Sequence, residues 1–168
     1  MKNTLLVLLS LIMIVFSTSA FAKKVEKMPV KRNGLYYEHL SPNLANGTYE
    51  TYHTNGQLRY KGFYKRGIMD GIHQKYTGDG KLWFRETYKD SIKNGTFLHQ
   101  VGQVGMGYFR TGFYKNGLKD GIIETYWLNG QLFERVTYKN GKREGLFVRY
   151  NRDGTLARKC FYVNGKQY

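Results

Sequence analysis

Beyond residue 46 the apolar positions of this chain fall into columns that return at a fixed period. Tyrosine recurs as Tyr64, Tyr88, Tyr114, Tyr138 and Tyr162, with leucine six places earlier as Leu58, Leu82, Leu132 and Leu156. Gly47, Gly71, Gly95, Gly121 and Gly145 open successive units, spaced 24, 24, 26 and 24 residues apart. Between the apolar stretches stand Asn55-Gly56, Asp79-Gly80, Asn129-Gly130 and Asp153-Gly154, pairs that take the positive φ of tight hairpin turns at little cost. Lys65-Arg66-Gly67, Lys115-Asn116-Gly117 and Lys139-Asn140-Gly141 supply a second turn between units. The pattern predicts two short strands per unit and an all-β fold, an elongated antiparallel β-meander of about 24-residue hairpin repeats.

Within the second strand of each unit, the even separation of Leu and Tyr predicts that both columns lie on one face and form core stripes. Tyr52, Tyr76, Tyr126 and Tyr150 make a third column. Tyr49, Phe97, Ile123 and Phe147 make a fourth, in which His73 is the exception. These last two are three residues apart, which requires either two partly apolar faces or a bulge in each first strand.

The third unit breaks the script. It carries two extra residues, has Gln100 in place of the early tyrosine, and reads Val101-Gly102-Gln103-Val104-Gly105-Met106-Gly107 where the Asn-Gly turn belongs. An irregular turn and a binding loop both fit this segment. Under the second reading Val101, Gln103, Val104 and Met106 are candidate partner contacts.

The amino terminus follows a different logic. Lys2 precedes an apolar run from Leu5 to Phe16 and an Ala20-Phe21-Ala22 site, the arrangement of a secretory signal peptide over residues 1–22, with cleavage after Ala22. The run is well short of the ~20 residues that span a bilayer. The expected location is periplasm, cell envelope or the medium. Residues 23–32 are expected to be a basic, mobile arm, and residues 33–168 a repeat domain with a degenerate opening unit at 33–46.

Charge narrows the partners. Lys and Arg number 27 against 12 Asp and Glu, a formal net charge of +15. Lys65, Lys89, Lys115 and Lys139 each follow a late tyrosine and predict a regularly spaced basic edge. Such an edge discourages strand pairing between molecules and suits an acidic protein, an anionic lipid or a cell-wall polymer. Nucleic acid matches the composition and not the compartment. Residues 34–37 and 161–168 are the expected edge strands.

Cys160 is the sole cysteine, so no intramolecular disulfide forms; its repeat position predicts a half-buried strand thiol. His39, His53, His73 and His99 lack metal-ligand spacing. Asp70, Asp120 and Glu144 each precede a unit-opening glycine, as expected of turn residues that bond their own backbone. No catalytic centre, metal or cofactor is expected.

Tyr-x-x-Asn-Gly-Gln-Leu and Tyr-Lys-x-Gly-x-x-Asp-Gly resemble the variant MORN repeat of bacterial proteins related to the YwqK-type antitoxins. Asn33-Gly34-Leu35-Tyr36-Tyr37, Ser41-Pro42 and Asn46-Gly47-Thr48-Tyr49 resemble the segment that opens such proteins. The resemblance implies an antitoxin-like or immunity-like binding protein, a scaffold or a membrane-associated module, and it brings no catalytic residues.

Overall fold

The computed structural model describes residues 27–103 and 106–168. The predicted signal peptide and residues 23–26 of the predicted arm lie outside the described residues. The last part of that arm is ordered: β1 (Val30–Arg32) pairs antiparallel with β2 (Leu35–Tyr37) across an Asn33-Gly34 turn in which both residues have positive φ. This small sheet contains the segment expected to form a free edge at 34–37.

Everything after it forms one twelve-stranded antiparallel sheet. Its hairpins are β3 (Gly47–Tyr52) with β4 (Leu58–Lys65), β5 (Ile68–Tyr76) with β6 (Leu82–Lys89), and β7 (Ile92–Gln103) with β8 (Met106–Lys115). After the two-residue β9 (Leu118–Lys119), which pairs back on β8, come β10 (Gly121–Trp127) with β11 (Leu132–Lys139) and β12 (Lys142–Tyr150) with β13 (Leu156–Val163). β14 (Lys166–Gln167) closes one end and β3 the other. The strands follow one another in chain order, as a meander requires.

A single sheet builds a core here because its strands bend. Each unit-opening glycine has positive φ, from 73° at Gly71 to 125° at Gly95. At the same place the ladder slips: Gly62 faces His73, but the next residue, Phe63, faces Asp70, which leaves two residues of β5 in excess. The β6–β7 and β11–β12 ladders slip likewise. Bulges of this kind bend a strand and increase its twist, and the late tyrosines then close over the fourth column. Ring centroids are 5.6 Å apart for Tyr49 and Tyr64, 5.2 Å for Tyr64 and His73, and 4.8 Å for Phe97 and Tyr114. The buried apolar set includes Tyr49, Tyr60, Tyr64, Phe97, Ile123, Val136, Phe147 and Tyr162, with Cys160 half-buried against the last five of these.

The two predicted core stripes need correction. Leu58, Leu82 and Leu132 are half-buried, and Leu156 is 54% exposed. A second bulge separates them from the tyrosines. Thr51 faces Tyr60 and Tyr52 faces Leu58, so Arg59 is extra, and Trp83, Phe133 and Ala157 are extra at the equivalent places. At this point the inserted residue is on the second strand, not the first. Among the tyrosines, Tyr64 and Tyr162 are buried, but Tyr88, Tyr114 and Tyr138 are half-buried. Cationic side chains from the neighbouring turn strand complete their cover: Lys93 over Tyr114, Lys119 over Tyr138 and Arg143 over Tyr162, each 5.1 Å from the ring centroid. Their aliphatic stems shield the rings while the charged ends reach water.

Successive units are tied at the turn flank. Gly67 donates to the Ala45 carbonyl, Ser91 to Met69, Gly117 to Lys93, Gly141 to Lys119 and Gly165 to Arg143, all at 2.7–2.9 Å. Asn46, Asn94, Asp120 and Glu144 accept the backbone N–H of Arg66, Asn116, Asn140 and Asn164 respectively. The residues so capped all have φ near +50°.

Candidate functional site

The bends sort side chains into an inner and an outer face, and each face carries a row that crosses the sheet. On the inner face, beside the core, register places Tyr60 opposite Lys75, Phe84 opposite His99, Arg110 opposite Thr125 and Glu134 opposite Arg149. This row mixes aromatic and charged groups. Arg149 donates to Glu134 Oε2 at 2.6 Å, and Arg110 Nε donates to Thr125 Oγ1 at 3.1 Å. Lys75 lies over the rings of Trp83 and Phe84, 5.7 and 5.1 Å from their centroids.

Two apolar clusters, one around Tyr49 and Tyr64 and one around Phe97, Ile123 and Phe147, are separated by a buried polar seam. His73 occupies the aromatic column there. Its Nε2–H donates to the Phe63 carbonyl at 2.9 Å, so its Nδ1 accepts from the Tyr60 hydroxyl at 2.7 Å, and the Tyr60 oxygen stands 2.9 Å from the Tyr64 hydroxyl. Burial lowers the His73 pKa and raises that of Tyr60. Both ring nitrogens of the neutral imidazole are therefore engaged.

One strand further, Glu86 is 1% exposed. It accepts from Lys93 Nζ at 2.6 Å, from His99 Nε2 at 2.8 Å and from the Tyr88 hydroxyl. Burial alone would raise its pKa, but these three donors outweigh burial and hold it at about 2. Within the seam both carboxylate oxygens of Glu86 are engaged, Oε1 by Lys93 and His99 and Oε2 by Tyr88. Among the described residues no group of three His, Cys, Asp or Glu side chains is placed to hold a metal ion.

At the hairpin-tip side of the first two units the inner face opens into a cleft of about 640 Å³. Thr51, Arg59, Tyr60, Lys75, Tyr76 and Trp83 line it, and Lys27, Met28 and His39 wall it from the amino-terminal segment.

The outer face shows a different row. Phe63, Ile72, Phe113, Ile122, Leu146 and Phe161 are 39–55% exposed. Thr48 faces Phe63, Ile72 faces Thr87, Thr96 faces Phe113, Ile122 faces Thr137 and Leu146 faces Phe161. An exposed apolar line therefore runs the length of the array, interleaved with threonines. The neighbouring outer row is mixed: it carries the Lys61–Glu50 and Arg135–Glu124 ion pairs beside Leu98 and the buried Val148.

The candidate residues chosen from sequence fall elsewhere. Lys65, Lys89, Lys115 and Lys139 are exposed at the ends of β4, β6, β8 and β11, and so line the turn flank. They sit at strand ends and not along an edge strand, so they do not guard an unpaired ladder; Lys89 also lies 3.5 Å from Asp70. The irregular segment is a longer hairpin. β7 and β8 pair without a slip as far as Gln103 opposite Met106, three pairs beyond Gln100. Val101 is 43% exposed, and Val104 lies outside the described residues.

Neither row coincides with the glycine, leucine, tyrosine, lysine or Tyr49–Phe147 columns visible in the sequence. The outer row had a signal: an apolar residue or threonine follows each unit-opening glycine and precedes each late tyrosine.

A family model described as "MORN repeat variant" matches residues 45–66, 69–90, 119–140 and 143–164, together just over half of the chain. This chain belongs to the MORN repeat variant family. Each matched MORN unit covers one hairpin together with its bend and following turn. The unmatched stretch between residues 90 and 119 coincides with the longer β7–β8 hairpin, where the repeat script breaks. No curated protein matches the chain closely enough to count as a relative.

Proposed function

We propose that this MORN-repeat protein is an exported, non-catalytic module that binds a protein partner, in the manner of the antitoxin or immunity components it resembles. The observation that carries the reading is the outer apolar row. A soluble protein gains nothing from displaying six large apolar side chains in line unless another surface covers them, and contiguous exposed apolar patches mark interaction sites. The repeating geometry suits an extended partner surface such as that of a toxin or an envelope protein. The protruding β7–β8 hairpin, with Val101, lies at mid-array and supplies the irregular feature that gives a repeating surface a register.

Capture of an envelope partner by the tagged chain, residues 23–168, tests this. A stoichiometric protein should be retained at high salt, and it should be lost when Phe113, Ile122 and Leu146 are changed to threonine. Retention of nothing specific, or retention indifferent to these changes, would refute the reading.

A second reading rests on the exposed lysines of the turn flank. Regular positive charge there suits a membrane surface or an anionic envelope polymer. Binding to anionic liposomes that disappears at physiological salt would support it, and absence of binding at low salt would exclude it.

A further inference from the structure

The cleft between the first two units gathers cations without a carboxylate. Elsewhere on that face Arg149 is answered by Glu134, and Lys93 and His99 by Glu86, while Arg110 donates to the Thr125 hydroxyl and Lys119 and Arg143 rest on tyrosine rings. In the cleft, Arg59 and Lys75 have no carboxylate partner among the described residues, and Lys27 adds a third cation to the wall. Among the described residues no Asp or Glu belongs to its lining. The repeat itself explains the gap, since the place that Glu134 holds against Arg149 is held by Phe84 and Tyr60 on either side of Lys75.

Aromatic rings face these cations across the lining. Trp83 is the bulged extra residue of β6, which lifts its ring out of the regular alternation, and 36% of it stays exposed. Tyr60 and Tyr76 add further ring surface and hydroxyls. The volume lies within the range of ~300–1,000 Å³ typical of small-molecule sites, which combine mostly apolar walls with a few placed polar groups. A cation held against aromatic rings and partly removed from water is stabilised further by a counter-anion.

We infer that this cleft is a binding site for a small organic anion, a carboxylate carried on a flat ring, with the ring against Trp83 and the carboxylate between Lys75 and Arg59. The site is independent of the outer row and stands or falls apart from the partner-binding reading.

The chain has two tryptophans, and Trp127 lies in a different unit, under Arg152. Their two indole N–H resonances therefore report on the cleft and on a remote control in one spectrum. Titration with 2-naphthoate should shift the Trp83 resonance saturably and leave that of Trp127 in place. Binding should weaken with added salt. The neutral analogue 2-naphthamide should bind at least about tenfold more weakly, and so should 2-naphthoate to Lys75→Gln or Arg59→Gln, as loss of a charged hydrogen-bond partner predicts. Each variant counts only with an unchanged Trp127 resonance, which certifies the fold. An unmoved Trp83 resonance, equal movement of both, naphthamide binding as tightly as naphthoate, acetate binding as tightly as naphthoate, or indifference to both substitutions would overturn the assignment.

Discussion

Replacing Gly62 with alanine sets two opposed effects against each other, and the structure decides which wins. The backbone at Gly62 lies outside the positive-φ region. Alanine there would ordinarily stabilise by ~0.4–1 kcal/mol by restricting the unfolded chain. The added methyl, however, would stand 2.5 Å from His73 Nδ1 and overlap the Tyr60 hydroxyl. Tyr60 cannot simply swing aside. It is 5% exposed and bonded to His73 at 2.7 Å and Tyr64 at 2.9 Å. Displacing it strands buried polar groups at ~1–3 kcal/mol each, and overpacking alone costs ~1–3 kcal/mol. The net expectation is a loss of roughly 2–4 kcal/mol, or ~4–16 °C in melting temperature for a chain of this size. Urea and thermal unfolding followed by circular dichroism measure it. Because the tightest overlap is with the hydroxyl, the loss should shrink in a Tyr60→Phe background, without vanishing, since the Tyr60 ring carbon at 2.7 Å and His73 Nδ1 at 2.5 Å remain in the way. A Gly62→Ala protein as stable as the wild type, or an equal loss in both backgrounds, would refute the role given to this glycine.

Other expectations follow from the same geometry. The Glu86 carboxyl is held at about 2 against an ordinary 4.5, so its stabilisation is complete above about pH 4.5 and is lost as pH falls toward 2. The advantage of the wild type over Glu86→Gln in the unfolding free energy from urea titration should therefore shrink by about 3 kcal/mol across that window, and an advantage independent of pH would count against the seam. Asp120→Ala removes the acceptor for the Asn140 N–H and should cost about 1 kcal/mol in urea unfolding; no change would mean that the turn needs no cap. Phe113→Thr and Ile122→Thr, on the exposed outer row, should change stability by less than ~1 kcal/mol each while abolishing partner capture. Strong destabilisation would show that the row is structural.

The hairpins were legible in the sequence because turns are local: Asn-Gly and Asp-Gly pairs and recurring glycines specify positive φ without reference to anything distant. The fourth column, from Tyr49 to Phe147, was read as apolar and proved to be the innermost. The leucine column misled because a bulge at Arg59, Trp83, Phe133 and Ala157 interrupts the alternation on which the inference of a shared face rested, and nothing in residue type marks that insertion. The buried Glu86 was unreadable for a related reason. A carboxylate in a core column looks like a surface residue until register brings Lys93 and His99 onto it from the next strand. The cleft likewise depends on the slip between β4 and β5, which sets Lys75 beside Tyr60. Lys65 and its equivalents were correctly read as exposed, but strand length placed them at a flank and not on an edge.

Photo-crosslinking in living cells tests the central claim, that the outer row is a protein-binding surface. A photoreactive residue placed singly at 113, 122, 139 or 83 samples the outer row twice, the lysine flank and the cleft. The account predicts one discrete protein adduct shared by positions 113 and 122 and absent from 139. No adduct from the outer row, or an adduct formed only from the flank, would contradict it.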